Sequence, residues 1–99
     1  MNAGGDMRTF RKKEEIVTRK IAGETILVPI RGSLADMQKI FSLNPVGEFI
    51  WQELDGEKSL RQISERLQSL FDVSEEQADA DIKEFIAELL REGLIAGAN

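Results

Sequence analysis

The sequence predicts an α+β fold in which a three-stranded antiparallel sheet is followed by three helices, in the order β-β-β-α-α-α. Three observations predict it. Two runs rich in β-branched residues flank the turn Ala22-Gly23-Glu24. Three later segments carry apolar residues at helical spacing. Each of those segments is preceded by a residue suited to cap a helix: Asn44, Ser59 and Ser74.

Residues 1–14 are rich in Gly and charge and show no periodicity, which predicts a flexible tail ahead of a single domain spanning 15–96. Glu15 to Ile21 reads as the first strand, with the Val17/Ile21 face inward. Thr25 to Ile30 reads as the second. Pro29 has no N–H to give to a ladder, so that side of it is expected to face away from a partner strand. After a loop containing Gly32-Ser33, Met37 to Leu43 reads as a short third strand. Its apolar residues Met37, Ile40, Phe41 and Leu43 do not alternate cleanly, so both faces need cover.

The first helix has Asn44 as cap, Pro45 at its first position and Val46, Phe49, Ile50 and Leu54 as its apolar face. It contains the chain's single Trp, Trp51, and Asp55-Gly56 signals its stop and a turn. Ser59 with Gln62 forms a capping box for a second helix striped by Leu60, Ile63, Leu67, Leu70 and Phe71. After the short break at Asp72-Val73, Ser74 with Gln77 repeats the box. Ala78, Ile82, Phe85, Ile86, Leu89 and Leu90 stripe the third helix, Gly93 stops it, and Leu94-Ile95 are expected to fold back on the core.

Composition narrows the function. The chain has 99 residues, no Cys and no His. Disulfides, thiolate metal sites and the usual nucleophilic triads are therefore out of reach. The expectation is a non-enzymatic protein with no catalytic residues, no metal and no cofactor. No apolar run reaches the ~20 residues of a membrane span, and no secretory signal is visible, so a cytoplasmic protein without a membrane partner is expected. The net charge of −5 is unevenly spread. Residues 1–31 hold seven basic and four acidic side chains, a net +3, which leaves −8 for the rest.

Two helices joined by a short turn beside a β-hairpin give a winged-helix-like outline, and the tempting function is nucleic-acid binding, with the basic N-terminal cluster helping. The third helix argues against it. Glu75, Glu76, Asp79, Asp81, Glu84, Glu88 and Glu92 face only Lys83 and Arg91, and such a surface repels phosphates. A second reading starts from the third strand. An edge strand exposes backbone N–H and C=O groups that an extended peptide can pair with, and that also allow a homodimer by strand exchange. On a helical wheel Asp79, Lys83, Ile86 and Leu90 occupy one flank of the third helix; Ile86 and Leu90 suit either the core or the wall of a groove.

Several stretches carry a family resemblance: Ile21-Ala22-Gly23-Glu24-Thr25-Ile26-Leu27-Val28-Pro29, Leu43-Asn44-Pro45-Val46-Gly47, Ile50-Trp51, Leu54-Asp55-Gly56, Phe71-Asp72-Val73-Ser74, Asp81, Phe85-Ile86 and Gly93-Leu94-Ile95. In order and spacing they resemble the PqqD-like family, over about Ile16 to Ile95. The hairpin is similar to the broad group more than to members of the pyrroloquinoline quinone (PQQ) pathway. The resemblance implies a RiPP recognition element: a peptide chaperone that binds the leader of a ribosomally made precursor peptide and presents it to a tailoring enzyme, often a radical S-adenosylmethionine enzyme. It implies a leader added beside the third strand and laid against the third helix. The expected contacts are then Met37, Gln38, Lys39, Ile40 and Phe41 on the strand, and Asp79, Lys83, Ile86, Ala87 and Leu90 on the helix.

Overall fold

A two-residue turn at Ala22-Gly23, both with positive φ (53° and 83°), closes a hairpin of the kind whose twist matches its flanking strands. The computed structural model of the protein describes residues 6–13, 15–32 and 40–98. The strands are β1 (Thr9–Lys12), β2 (Ile16–Ile21), β3 (Glu24–Pro29), β4 (Phe41–Leu43), β5 (Asp55–Ser59) and β6 (Ile95–Gly97). The helices are α1 (Pro45–Glu53), α2 (Leu60–Phe71) and α3 (Glu75–Arg91). The expected sheet is present as β2-β3-β4, antiparallel throughout, and a second sheet has the order β5-β1-β6.

The second sheet corrects the expectation of a tail over 1–14 at Thr9–Lys12, and of a simple turn at Asp55-Gly56. β1 pairs on one side with β5 and on the other with β6. Phe10 drives this, since it is buried in the main core. The basic cluster is partly used internally: the Arg8 guanidinium lies 5.5 Å from the Phe10 ring centre and the Lys12 ammonium 5.4 Å from that of Trp51. Burial pushes the Lys12 pKa down. The pairing of β1 with β5 carries a bulge, with Thr9 opposite Ser59 and Arg11 opposite Asp55; Gly56, at φ 83°, supplies the backbone bend.

Asp55 holds the turn into β5. Its Oδ1 accepts from the N–H groups of Glu57 and Lys58, both at 2.9 Å, and its Oδ2 accepts from Lys58 Nζ at 2.8 Å. Led by the Lys58 side-chain bond, these contacts hold the Asp55 carboxyl well below its ordinary value of 3.8. A carboxyl with a depressed folded pKa adds stability above its unfolded pKa and loses it as the pH falls through the folded value. Asp55→Asn is therefore expected to flatten the acid limb of the urea midpoint below about pH 4, because Asn keeps an acceptor for the turn but has no charge to titrate. An acid limb identical to that of the parent protein would contradict this role.

The hairpin faces are the reverse of the sequence expectation. Thr25, Leu27 and Pro29 are buried, and opposite residues share a face, so Ile16 rather than Val17 and Ile21 points to the core. Thr18 and Lys20 are on that inner side as well but exposed on the edge strand, and Lys20 reaches Glu48 of α1 at 3.3 Å. The three caps form as expected. Asn44 Oδ1 accepts from Gly47 N–H at 2.7 Å. Ser59 and Gln62 make the reciprocal box. The box at Ser74 is only half made: Ser74 Oγ accepts from Gln77 N–H, while the Gln77 side chain donates to Asp81 Oδ1 at 2.8 Å. Gly93, at φ 75°, ends α3 with Leu94 N–H bonded to Leu89 O and Gly93 N–H to Leu90 O, the paired bonds of a Schellman stop. Leu94 and Ile95 then return to the core.

The core lies between the helices and the inner sheet faces. Leu27, Ile50, Trp51, Leu54, Leu60, Ile63, Leu67, Ile82, Leu89 and Leu94 form its centre. Phe49 of α1 meets Phe71 of α2 edge to face at 5.6 Å, and Glu53 and Arg66 form an ion pair between the same helices. No helix among the described residues is long and apolar enough to cross a membrane.

Candidate functional site

β4 is the edge of its sheet among the described residues. Its hydrogen-bonding direction follows from the register. Ile30 N–H donates to Glu15 O at 2.7 Å. By alternation, the pairs 17/28, 19/26 and 21/24 are also hydrogen-bonded ones. Residues 25 and 27 of β3 therefore turn their N–H and C=O toward β4, where they meet Leu43 and Phe41. Ser42, between those two, turns its N–H and C=O to the open side. Pro29 lies beyond the last β3–β4 pair, Leu27 with Phe41, so its missing donor breaks no described bond of that ladder. The Ser42 hydroxyl donates to Glu24 Oε1 at 3.0 Å on the outer face, while Phe41 and Leu43 pack inward against the core.

The strand ends at Asn44, and Asn44 is also the lip of a cleft of about 220 Å³ between α1 and α3. Val46, Gly47 and Ile50 line one side of it; Asp81, Glu84, Phe85 and Glu88 line the other. A Cβ on Gly47 would touch the Phe85 ring at an ordinary 3.5 Å but crowd Asn44 Oδ1 at 3.2 Å, which leaves little room for a larger side chain there. Gly47→Val is expected to force Phe85 outward and to lower stability by about 1–3 kcal/mol, read as a lower urea midpoint at constant slope; an unchanged midpoint would mean that the helices are free to separate.

The structure places the sequence-expected residues unevenly. Met37, Gln38 and Lys39 lie outside the described residues. Ile40 is 64% exposed just before β4, and Phe41 is half-buried within it. Two of the five α3 residues are buried. Asp79 is 3% exposed and faces α2, where its Oδ1 accepts from Ser64 Oγ at 2.6 Å. Ile86 is 2% exposed and belongs to the core. Lys83 and Ala87 are exposed, and Leu90 is 42% exposed. None of these five lines the cleft. Seen down α3, Ala78, Ile82, Ile86 and Leu89 form the buried stripe. Asp81, Phe85 and Glu88 form one flank; Asp79, Lys83 and Leu90 form the other. The cleft opens on the first flank, and α2 covers Asp79 on the second. Asp81, Glu84, Phe85 and Glu88 are thus wall residues that sequence reasoning missed. The signal was the acidic face already visible in the sequence, read only as a barrier to nucleic acid.

A larger cleft of about 370 Å³ lies at the C-terminal end of α3, lined by Lys13, Glu15, Arg31, Arg91 and neighbours. Ile16 of β2, the edge opposite β4 in the same sheet, also lines it. No cluster of His, Cys, Asp and Glu suited to a metal ion occurs among the described residues.

The family model for coenzyme PQQ synthesis protein D (PqqD) matches residues 24–95, most of the chain. The chain belongs to the PqqD family. The matched span runs from β3 to β6 and so includes the PqqD-family edge strand, both cleft helices and the returning C-terminus. No curated protein matches the sequence. Two solved structures share the fold of this PqqD-family chain. One is TbiB1 in complex with the TbiA(beta) leader peptide, with a TM-score of 0.69, 21% identity, and coverage of 86% of this chain and 93% of that chain. The other is lasso peptide synthetase B1 complexed with the leader peptide, with a TM-score of 0.73, 22% identity, and coverage of 88% and 96%.

Proposed function

We propose that the protein is a non-enzymatic adaptor. It binds the leader of a ribosomally made precursor peptide by strand addition to β4 and presents the precursor to a modifying enzyme, for which the family resemblance suggests the radical S-adenosylmethionine class. The observation that carries this reading is the open edge of β4, with the Ser42 N–H and C=O turned outward, ending at a cleft walled by α3. The two fold relatives, each in complex with a leader peptide, support it.

The mechanism is main-chain pairing for register and side-chain burial for affinity. A guest strand pairs with Ser42 on the side away from β3. Alternate guest side chains then point toward α3, where Phe85 offers apolar surface. Ordering a flexible leader costs conformational entropy, which this burial must offset. The nucleic-acid alternative has no support in the wall, which is acidic where a phosphate would lie.

The test uses the full chain and a random 15-residue peptide library displayed on phage. A selected peptide, titrated into ¹⁵N-labelled protein, is expected to shift the amide resonances of Ile40–Asn44 and Asp81–Glu88, and to bind the Leu90→Asp variant equally well. Shifts confined to the Lys83/Leu90 flank or to the cleft at Arg31 and Arg91 would overturn the assignment of the groove.

A further inference from the structure

The wall of the groove has a charge that no part of the reading above requires. Asp81, Glu84 and Glu88 border the cleft around Phe85, and among the described residues none of the three has a Lys or Arg ion-pair partner. Asp81 accepts from the neutral Gln77 amide. Across the cleft, Asn44, Val46, Gly47 and Ile50 bring no positive side chain. Among the described residues, three carboxylates without an ion-pair partner thus surround one apolar ring, beside an edge strand open to an extended backbone.

We infer that the guest peptide is basic at this point: the cleft selects a Lys or Arg two positions from the apolar residue that covers Phe85. This rests on the strand-addition reading of the same site. The spacing follows from geometry. Side chains two apart on one face of a strand are about 6.8 Å apart. Along a helix axis Asp81 is about 6 Å from Phe85, and Glu88 about 4.5 Å, on the opposite side. An apolar anchor on Phe85 therefore brings a basic residue at either neighbouring inward position within reach of a carboxylate. Opposite charges speed the encounter and fix register, whereas an acidic leader in the same register meets three like charges. The groove reads charge pattern in addition to backbone.

The experiment compares peptides selected from the phage library by the parent protein and by the triple variant Asp81→Asn/Glu84→Gln/Glu88→Gln. Peptides selected by the parent are expected to be enriched in Lys or Arg two positions from an apolar residue, and the variant is expected to lose that enrichment. Titrated at low salt, a selected peptide is expected to bind the triple variant about tenfold more weakly, as does a peptide with its basic residues changed to Gln, and 0.5 M salt narrows the gap. Selected peptides that are neutral, bind with no salt dependence and still shift Ser42 would overturn the charge inference and leave strand addition standing. Selected peptides that leave Ser42 unshifted would overturn strand addition itself.

Discussion

Ser42→Pro is expected to keep the fold and to weaken binding of a selected peptide ten- to a hundredfold. Proline removes one N–H, and the register turns that N–H to the open side of β4 rather than to β3. Proline is tolerated at a sheet edge under this condition, and the preceding residue, Phe41, is already extended, as proline demands. The thermal midpoint should therefore stay close to that of the parent. A guest strand, in contrast, loses its donor and leaves a carbonyl unpaired, at a cost of about 1–3 kcal/mol, and each 1.4 kcal/mol is a factor of about ten in affinity. Ser42→Ala is the control, because it removes only the exposed hydroxyl bond to Glu24. Equal affinity in Ser42→Pro and Ser42→Ala would mean that the peptide does not pair with this edge.

Ser64→Ala is expected to lower stability by about 1–3 kcal/mol without changing peptide affinity. Asp79 is buried, and Ser64 Oγ supplies the donor to its Oδ1 at 2.6 Å. Its Oδ2 has no donor among the described residues. Removing the hydroxyl leaves both carboxyl oxygens buried without a donor. It also strips Gln68 Nε2 of its acceptor, 3.2 Å away. Deleting the carboxylate too should restore part of the loss, so the double variant Ser64→Ala/Asp79→Ala is expected to be more stable than the sum of the two single effects predicts. Urea unfolding of the four proteins checks this. Strict additivity would show that the bond links α2 to α3 without energetic consequence, and a drop in peptide affinity would return Asp79 to the groove.

Much of the architecture was legible because local chemistry and tertiary packing agree. Asn44, Ser59, Ser74 and Gly93 mark helix ends in the sequence and do so in the structure. The hairpin at Ala22-Gly23 was equally plain. What escaped was structure that only the tertiary fold supplies. β5, Asp55-Gly56-Glu57-Lys58-Ser59, has no β-branched or aromatic residue, and it is a strand because β1 lies beside it. β1 itself shows one buried side chain, Phe10, among charged neighbours, and so resembled a tail. The face of β2 was misjudged because Val17 and Ile21 are apolar yet point outward, with Ile21 left exposed.

The candidate site divides in the same way. The edge strand was readable from its place in the order of elements, and α3, which the sequence also singled out, lines the cleft on one side. Periodicity gives α3 a buried stripe with two flanks, and nothing local says which flank the cleft opens on. That is decided by where β4 delivers Asn44 and by how α1 packs beside Phe85. Asp79 misled for a related reason: a carboxylate suggests solvent, whereas here Ser64, fifteen residues away, receives it in the interior.

Hydrogen exchange at the Ser42 amide, measured with the full chain alone and saturated with a selected peptide, tests strand addition most directly. This amide is expected to exchange freely in the unbound protein and to be slowed at least tenfold when the peptide is bound, while Phe41 and Leu43, already paired to β3, change little. A saturated complex in which Ser42 exchanges as fast as in the free protein would contradict strand addition.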